Sequence, residues 1–199
     1  MNEVEIVPET DVPEEKMPPD RWKGVFGALR EIGETVVLTL LIFLVIRTVI
    51  QNFRIEGSSM EPNFHHGQYL IINKFEYYFH DPNRGDIVVF RFPQNPKRDF
   101  IKRVIALPGE KVEIKEGTVF INDWPLYEDY KPISPSYTWG PKVVGENDYF
   151  VLGDNRNNSS DSHSWGMLPR NRIVGKAWIS YWPPQYWGIL NTPSFAAGP

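Results

Sequence analysis

The chain has 199 residues, 41% of them hydrophobic and 23% charged, the composition of a globular protein of about one domain and not of a disordered one. It contains no cysteine, which excludes disulfides, thiolate metal sites and cysteine catalysis. The net charge of −4 is uneven: residues 1–20 carry −6 and the remaining 179 carry +2, with no basic stripe to track a phosphate backbone, so nucleic acid is not an expected partner.

Positions 1–20 hold seven acids, four prolines and Lys16, which predicts a disordered tail. Positions 21–53 read as a membrane anchor with its flanks. Val36–Phe53 is an eighteen-residue run, V-V-L-T-L-L-I-F-L-V-I-R-T-V-I-Q-N-F. As helix it spans about 27 Å, near the ~30 Å hydrocarbon core. Only Arg47 offends strongly, and from the second half of the segment its long side chain can snorkel to the interface. A cleavable signal peptide and a buried amphipathic helix are the alternatives. No alanine lies between Ala28 and Ala106 to build a small-x-small cleavage site, which favours an uncleaved anchor. Arg21, Lys23 and Arg30 before the run, against Arg47 and Arg54 at its far end, favour a cytoplasmic N-terminus by a small margin, three to two.

Positions 54–182 are expected to form a mainly β domain. Seven strands are predicted: Tyr69–Asn73, Asp86–Arg91, Phe100–Leu107, Lys111–Lys115, Thr118–Ile121, Asp148–Leu152 and Ile173–Tyr181. Turn chemistry separates them at Asn83-Arg-Gly85, Pro108-Gly109, Glu116-Gly117 and Asn122-Asp123. Short strands at this spacing fold into an antiparallel, barrel-like sheet. The proline-rich stretch 123–147 is expected to make a smaller lobe, and 183–199 a C-terminal tail. The aromatic run Tyr181–Trp187 suits either a membrane interface or a packed edge of the domain.

Lys102 is the residue that points to chemistry. It lies in the apolar strand pattern and by alternation shares a face with Phe100, Val104 and Ala106. Desolvation there disfavours its ammonium and lowers its pKa. A neutral lysine is a general base, and the turn Gly57-Ser-Ser-Met-Glu-Pro62 upstream offers a serine for it to activate. Arg103 points to the opposite face and reads as a structural ion-pair partner.

Four segments in order resemble the boxes of type I signal peptidases, membrane-bound serine–lysine proteases. Ser59-Met60-Glu61-Pro62 matches S-M-x-P, and Gly85-Asp86-Ile-Val-Val-Phe90 matches a G-D-hydrophobic strand. Lys102-Arg-Val-Ile-Ala-Leu-Pro-Gly-Glu110 stands against K-R-x-x-G-x-P-G-D, and Gly153-Asp-Asn-Arg-Asn-Asn-Ser-Ser-Asp-Ser-His163 against G-D-N-R-D-N-S-x-D-S-R. The resemblance implies Ser59 as nucleophile and Lys102 as general base. It also implies Ser159 near the base, able to hydrogen-bond its amine, and Asp161 holding the region together. It brings no cofactor and no metal. The implied partners are exported preproteins with signal peptides, cut after small-x-small motifs such as A-x-A, and the lipid bilayer. The implied location is a plasma or thylakoid membrane, crossed once, with the catalytic domain on the external or lumenal side.

The chain departs from that pattern in places. His163 stands for arginine and Asn157 for aspartate, variants associated with cyanobacterial and thylakoid relatives. Asn63 follows Pro62 where threonine is common. Gly57 stands two before the nucleophile, where some members carry a serine whose hydroxyl stabilises the oxyanion.

Other readings of the same residues compete. Asn155, Asn157 and Asn158 fit a polar turn satisfied by its own side chains. A calcium loop starting at Asp154 fails, because its register puts Arg156 at a ligand position and Ser159 where glycine is needed. A Ser59–His163–Asp161 hydrolase sets an acid two residues from its histidine, an awkward geometry. A tethered β-domain that only binds peptide would leave Lys102 a surface charge.

Overall fold

The computed structural model describes residues 21–193 and 195, so the tail at 1–20 and the last few residues lie outside the described chain. The chain divides after Leu44 into two units. The first consists of most of helix α1, Arg21–Val49, whose Gly24–Val49 stretch is long and apolar enough to cross a membrane and carries its apolar side chains exposed.

The helix begins fifteen residues before the apolar run read from sequence and stops four short of its end. Ile50–Arg54 is instead strand β1, antiparallel to β2, Tyr69–Asn73, with Ile50 opposite Asn73 and Arg54 opposite Tyr69. Polar Gln51 and Asn52 suit a strand bonded along one edge better than a hydrocarbon core, where polar side chains are costly.

The second unit carries the sheets. Besides β1 and β2 it contains α2 (Glu76–Phe79), β3 (Ile87–Arg91), β4 (Asp99–Ala106), β5 (Lys111–Lys115) and β6 (Thr118–Ile121). There follow β7 (Trp124–Pro125), β8 (Trp139–Val143), β9 (Asp148–Leu152), α3 (Ser162–Trp165), β10 (Leu168–Pro169), β11 (Ile173–Trp182) and β12 (Gly188–Ile189). The main sheet runs β1-β2-β11-β3-β4-β9-β10, with β12 on β11, and every pairing is antiparallel. The small sheet runs β7-β6-β5-β8 and therefore takes in β5 and β6 as well as the stretch 123–147. All seven predicted strands are present, within a residue or so at each end.

The main sheet is covered on both faces, which is why β3 reads as the unbroken Ile-Val-Val-Phe. Ile87 and Val89 pack with Met60, Phe64, Leu70 and Ile72, whereas Val88 and Phe90 pack with Val104, Tyr149 and Val151. A third cluster joins the sheets, with Ile105, Phe150 and Leu152 against Val112, Ile114 and Val119. The face expected for Lys102 holds only as far as Val104. A bulge between Val104 and Ala106 breaks the alternation, and Ala106 joins Ile105 in the third cluster. The Tyr181–Trp187 run turns at its prolines and leads into β12, leaving Trp182 and Trp187 exposed.

Candidate active site

β4 bonds to β3 along residues 99–103 but to β9 only from Arg103 onward, so Asp99–Lys102 has one unpaired edge. An open cleft of about 410 Å³ lies there, lined by Asp99–Lys102, by Ser59 and Glu56 on the loop after β1, by Phe53 and Arg54 of β1, and by Ser160.

Met60 anchors that loop. It is fully buried in the core, so the serine before it is held at the cleft wall. Lys102 Nζ is 2.7 Å from Ser59 Oγ and donates to the Ile101 carbonyl at 2.7 Å. Its side chain is 3% exposed and lies near the Phe100 ring, at 5.6 Å from the centroid. Burial pulls the Lys102 amine down to about 8 from its ordinary 10.5, against the opposing pull of Asp161 and Asp154. Among the described residues Ser59 Oγ is bonded to Lys102 and to no histidine.

Arg103 turns the other way and pairs with Asp154 through Nε at 2.8 Å and Nη2 at 2.7 Å, both side chains buried. Asp154 also accepts from Asn63 Nδ2 at 2.9 Å, which links it to the serine loop. Behind it the fully buried Arg156 pairs with Glu128 and meets the Tyr130 hydroxyl at 2.9 Å, tying the stretch 123–147 to the site.

A family profile described as signal peptidase, peptidase S26, matches residues 29–182. The chain belongs to the S26 signal peptidases. It is 41% identical over 192 residues to the probable signal peptidase I-2 of Synechocystis sp., covering 94% of this chain and 85% of the relative. It is 42% identical over 197 residues to signal peptidase I of Leptolyngbya laminosa, covering 93% and 97%. Over 140 residues it is 40% identical to the chloroplastic thylakoidal processing peptidase 1 of Arabidopsis thaliana, covering 65% of this chain and 41% of that one. S26 signal peptidases are serine endopeptidases, and so is this chain.

Within this signal peptidase the segment from Gly153 to His163 encloses the serine loop. The Asn155 amide donates to the Ser59 carbonyl at 3.0 Å, its side chain to the Ser58 carbonyl at 3.3 Å, and Asn158 Nδ2 to Ser58 Oγ at 3.0 Å. Asn157 bonds Ser134 and Ser136 of the small-sheet region. These asparagines therefore reach across the chain; they do not close a self-satisfied turn. The spacing of the fourth box gave no sign of where they point. Gly153 is needed for the fit, since a Cβ there would stand 2.3 Å from the Ser59 carbonyl oxygen and 2.3 Å from Ser159 Oγ.

Ser159 is beside the nucleophile loop, yet among the described residues its buried hydroxyl has no hydrogen-bond partner. The bond expected from it to Lys102 is not made; the Lys102 amine bonds Ser59 and the Ile101 carbonyl instead. Asp161 is fully buried, accepts from the Gly153 amide at 2.9 Å and caps α3 through the His163 amide. Its Oδ1 also meets His163 Nδ1 at 2.6 Å. The pairing that looked awkward in sequence forms because the first turn of α3 folds His163 back over its own cap. The histidine ring stacks on Tyr137 at 4.4 Å.

Proposed function

We propose that Ser59 is the nucleophile and Lys102 the general base of a signal peptidase that removes signal peptides from exported precursors. The 2.7 Å approach of a desolvated lysine to Ser59 Oγ carries this reading. With the amine neutral, the Ser59 hydroxyl proton passes to the Nζ lone pair as Oγ attacks the scissile carbonyl. The resulting oxyanion lies within reach of the Ser59 amide N–H, which donates to no protein acceptor among the described residues. Gly57, with φ at +89°, offers no side-chain donor there. The Lys102 ammonium then gives its proton to the leaving amine, and the neutral base activates water against the acyl-enzyme. Asp161 and Ser159 support the base by shaping the wall around it.

The unpaired edge of β4 and the outer edge of β1 suit an extended substrate, whose backbone would add as a strand. A strand's alternation presents the first and third side chains before the cut to one wall, consistent with the small-x-small preference of the family. α1 serves as a single-pass anchor in a plasma or thylakoid membrane. The positive residues before it argue for a cytoplasmic N-terminus and an external or lumenal catalytic domain.

The test is cleavage of a precursor bearing A-x-A before the cut, by the full chain in membrane vesicles. Cleavage should stop when the residue before the cut is made bulky. The domain should be protected from protease added to cytoplasmic-face-out vesicles. Indifference to the bulky residue overturns the specificity, and digestion of the domain overturns the orientation.

A further inference from the structure

A second cleft of about 440 Å³ shares no lining residue with the one around Ser59. Lys74, Arg91, Arg170 and Arg172 line it, and no carboxylate does. Arg170 is engaged, with Nε 3.1 Å from Asp81 and Nη2 donating to the Tyr77 carbonyl at 2.6 Å. Among the described residues Lys74, Arg91 and Arg172 have no acid partner, and Asp99, opposite Arg91 in the β3–β4 register, makes no ion pair with it. Three unpaired cations around one cavity repel each other, and an anion placed between them would relieve that repulsion.

The position of the cleft tells which anion. Thr48, in the last turn of α1, lines it. Lys74 is tied to the same turn, its amide donating to the Val49 carbonyl at 2.9 Å and its Nζ to the Arg47 carbonyl at 3.3 Å. The cleft thus stands where the membrane-crossing stretch ends. Beside it Phe75, Tyr78 and Phe79 form a ring cluster, with Phe75 4.9 Å from Phe79 and 5.6 Å from Tyr78, exposed at 44%, 78% and 68%. Exposed aromatic rings next to lysine and arginine are the combination that headgroup-level surfaces favour.

We propose that this cleft binds the phosphate of an anionic phospholipid headgroup through Lys74, Arg91 and Arg172, with Phe75, Tyr78 and Phe79 seated in the interface. The proposal rests on α1 being a membrane anchor. Its consequence is that the catalytic domain is held against the bilayer surface from which membrane-bound substrates emerge.

The experiment is native mass spectrometry of the full chain in neutral detergent, titrated with phosphatidylglycerol or phosphatidylcholine. The comparison is with the variant Lys74→Gln/Arg91→Gln/Arg172→Gln, and carbonate extraction of the full chain from membranes runs alongside. Phosphatidylglycerol should bind and phosphatidylcholine should not. At about fivefold per cation, the triple variant should bind phosphatidylglycerol roughly a hundredfold more weakly. If that variant unfolds early, Arg91→Gln/Arg172→Gln should still show a loss of about 25-fold. Cleavage of a soluble peptide should be unaffected in either variant, whereas cleavage of a bilayer-embedded precursor should fall. Equal binding of both lipids, or undiminished binding by the variants, overturns the proposal. Displacement of the lipid by an equal concentration of inorganic phosphate overturns the lipid as the occupant. A chain stripped from membranes by carbonate overturns the anchor reading; one that stays but treats both lipids alike overturns the headgroup site alone.

Discussion

Lys102 Nζ and Ser59 Oγ stand 2.7 Å apart across 43 residues of chain, and neighbouring Arg103 grips Asp154 on the other side of the same strand. One strand thus delivers the base to the cleft and, with its next residue, clamps the segment that surrounds the serine loop.

Ser59→Ala should lower precursor cleavage on the order of 10⁶-fold, the scale of losing a serine-protease nucleophile, with expression and membrane association unchanged. Ser58→Ala should be mild, since Ser58 Oγ only accepts from Asn158. Cleavage that survives in Ser59→Ala moves the nucleophile elsewhere.

Arginine stays charged in proteins, so Lys102→Arg should be as inactive as Lys102→Ala. His163→Ala should cost less than about tenfold, because His163 is bonded to Asp161 and stacked on Tyr137 with no hydrogen bond to Ser59. A histidine variant as inactive as the lysine variants would restore the Ser–His–Asp reading.

With Lys102 at about 8, only about one enzyme in eleven holds the neutral base at pH 7. The kcat/KM should rise with unit slope toward pH 8 and level off above it. Stability follows the same group. Between about pH 8 and the ordinary 10.5 the unfolded chain holds a proton that the folded chain has lost, so this residue makes stability rise with pH in that window. Below it both states are protonated and the fold bears the full cost of burying the charge. Lys102→Met should therefore be inactive yet up to about 3 kcal/mol more stable at pH 7, an advantage that fades by pH 10.5. Denaturant titrations at the two pH values check this; equal gains at both would contradict it.

Asp154→Ala leaves the buried Arg103 guanidinium without its partner and removes the acceptor of Asn63. Unfolding free energy should fall by about 3–5 kcal/mol. Activity should fall too, because the serine loop loses a tether.

Gly153→Ala pushes a methyl group against the Ser59 carbonyl oxygen and Ser159 Oγ. A displacement of about 1 Å at the nucleophile costs on the order of a hundredfold in rate. The kcat should fall by that order while KM for a short peptide changes little. Unchanged kcat would mean that the loop yields without moving Ser59 Oγ.

The sequence alone located seven of the strands, because alternation and turn residues are local: Tyr69–Asn73, Lys111–Lys115, Thr118–Ile121 and Asp148–Leu152 end where the pattern says, whereas it does not mark Ile50–Arg54 and Trp139–Val143 as strands. It also indicated that a lysine in an apolar strand would be desolvated; that Ser59 and not Ser58 stands 2.7 Å from its amine is read from the structure. Only the tertiary structure decided where α1 stops, since no proline or glycine marks a boundary between Val49 and Arg54, and Ile50–Arg54 becomes a strand through its pairing with β2. Long-range pairing likewise decided that Asn155 and Asn158 hold the serine loop and that Ser159, among the described residues, remains unbonded beside it. The direction of a short polar side chain depends on partners about a hundred residues away, as in the Asn158–Ser58 bond, and no local pattern encodes them.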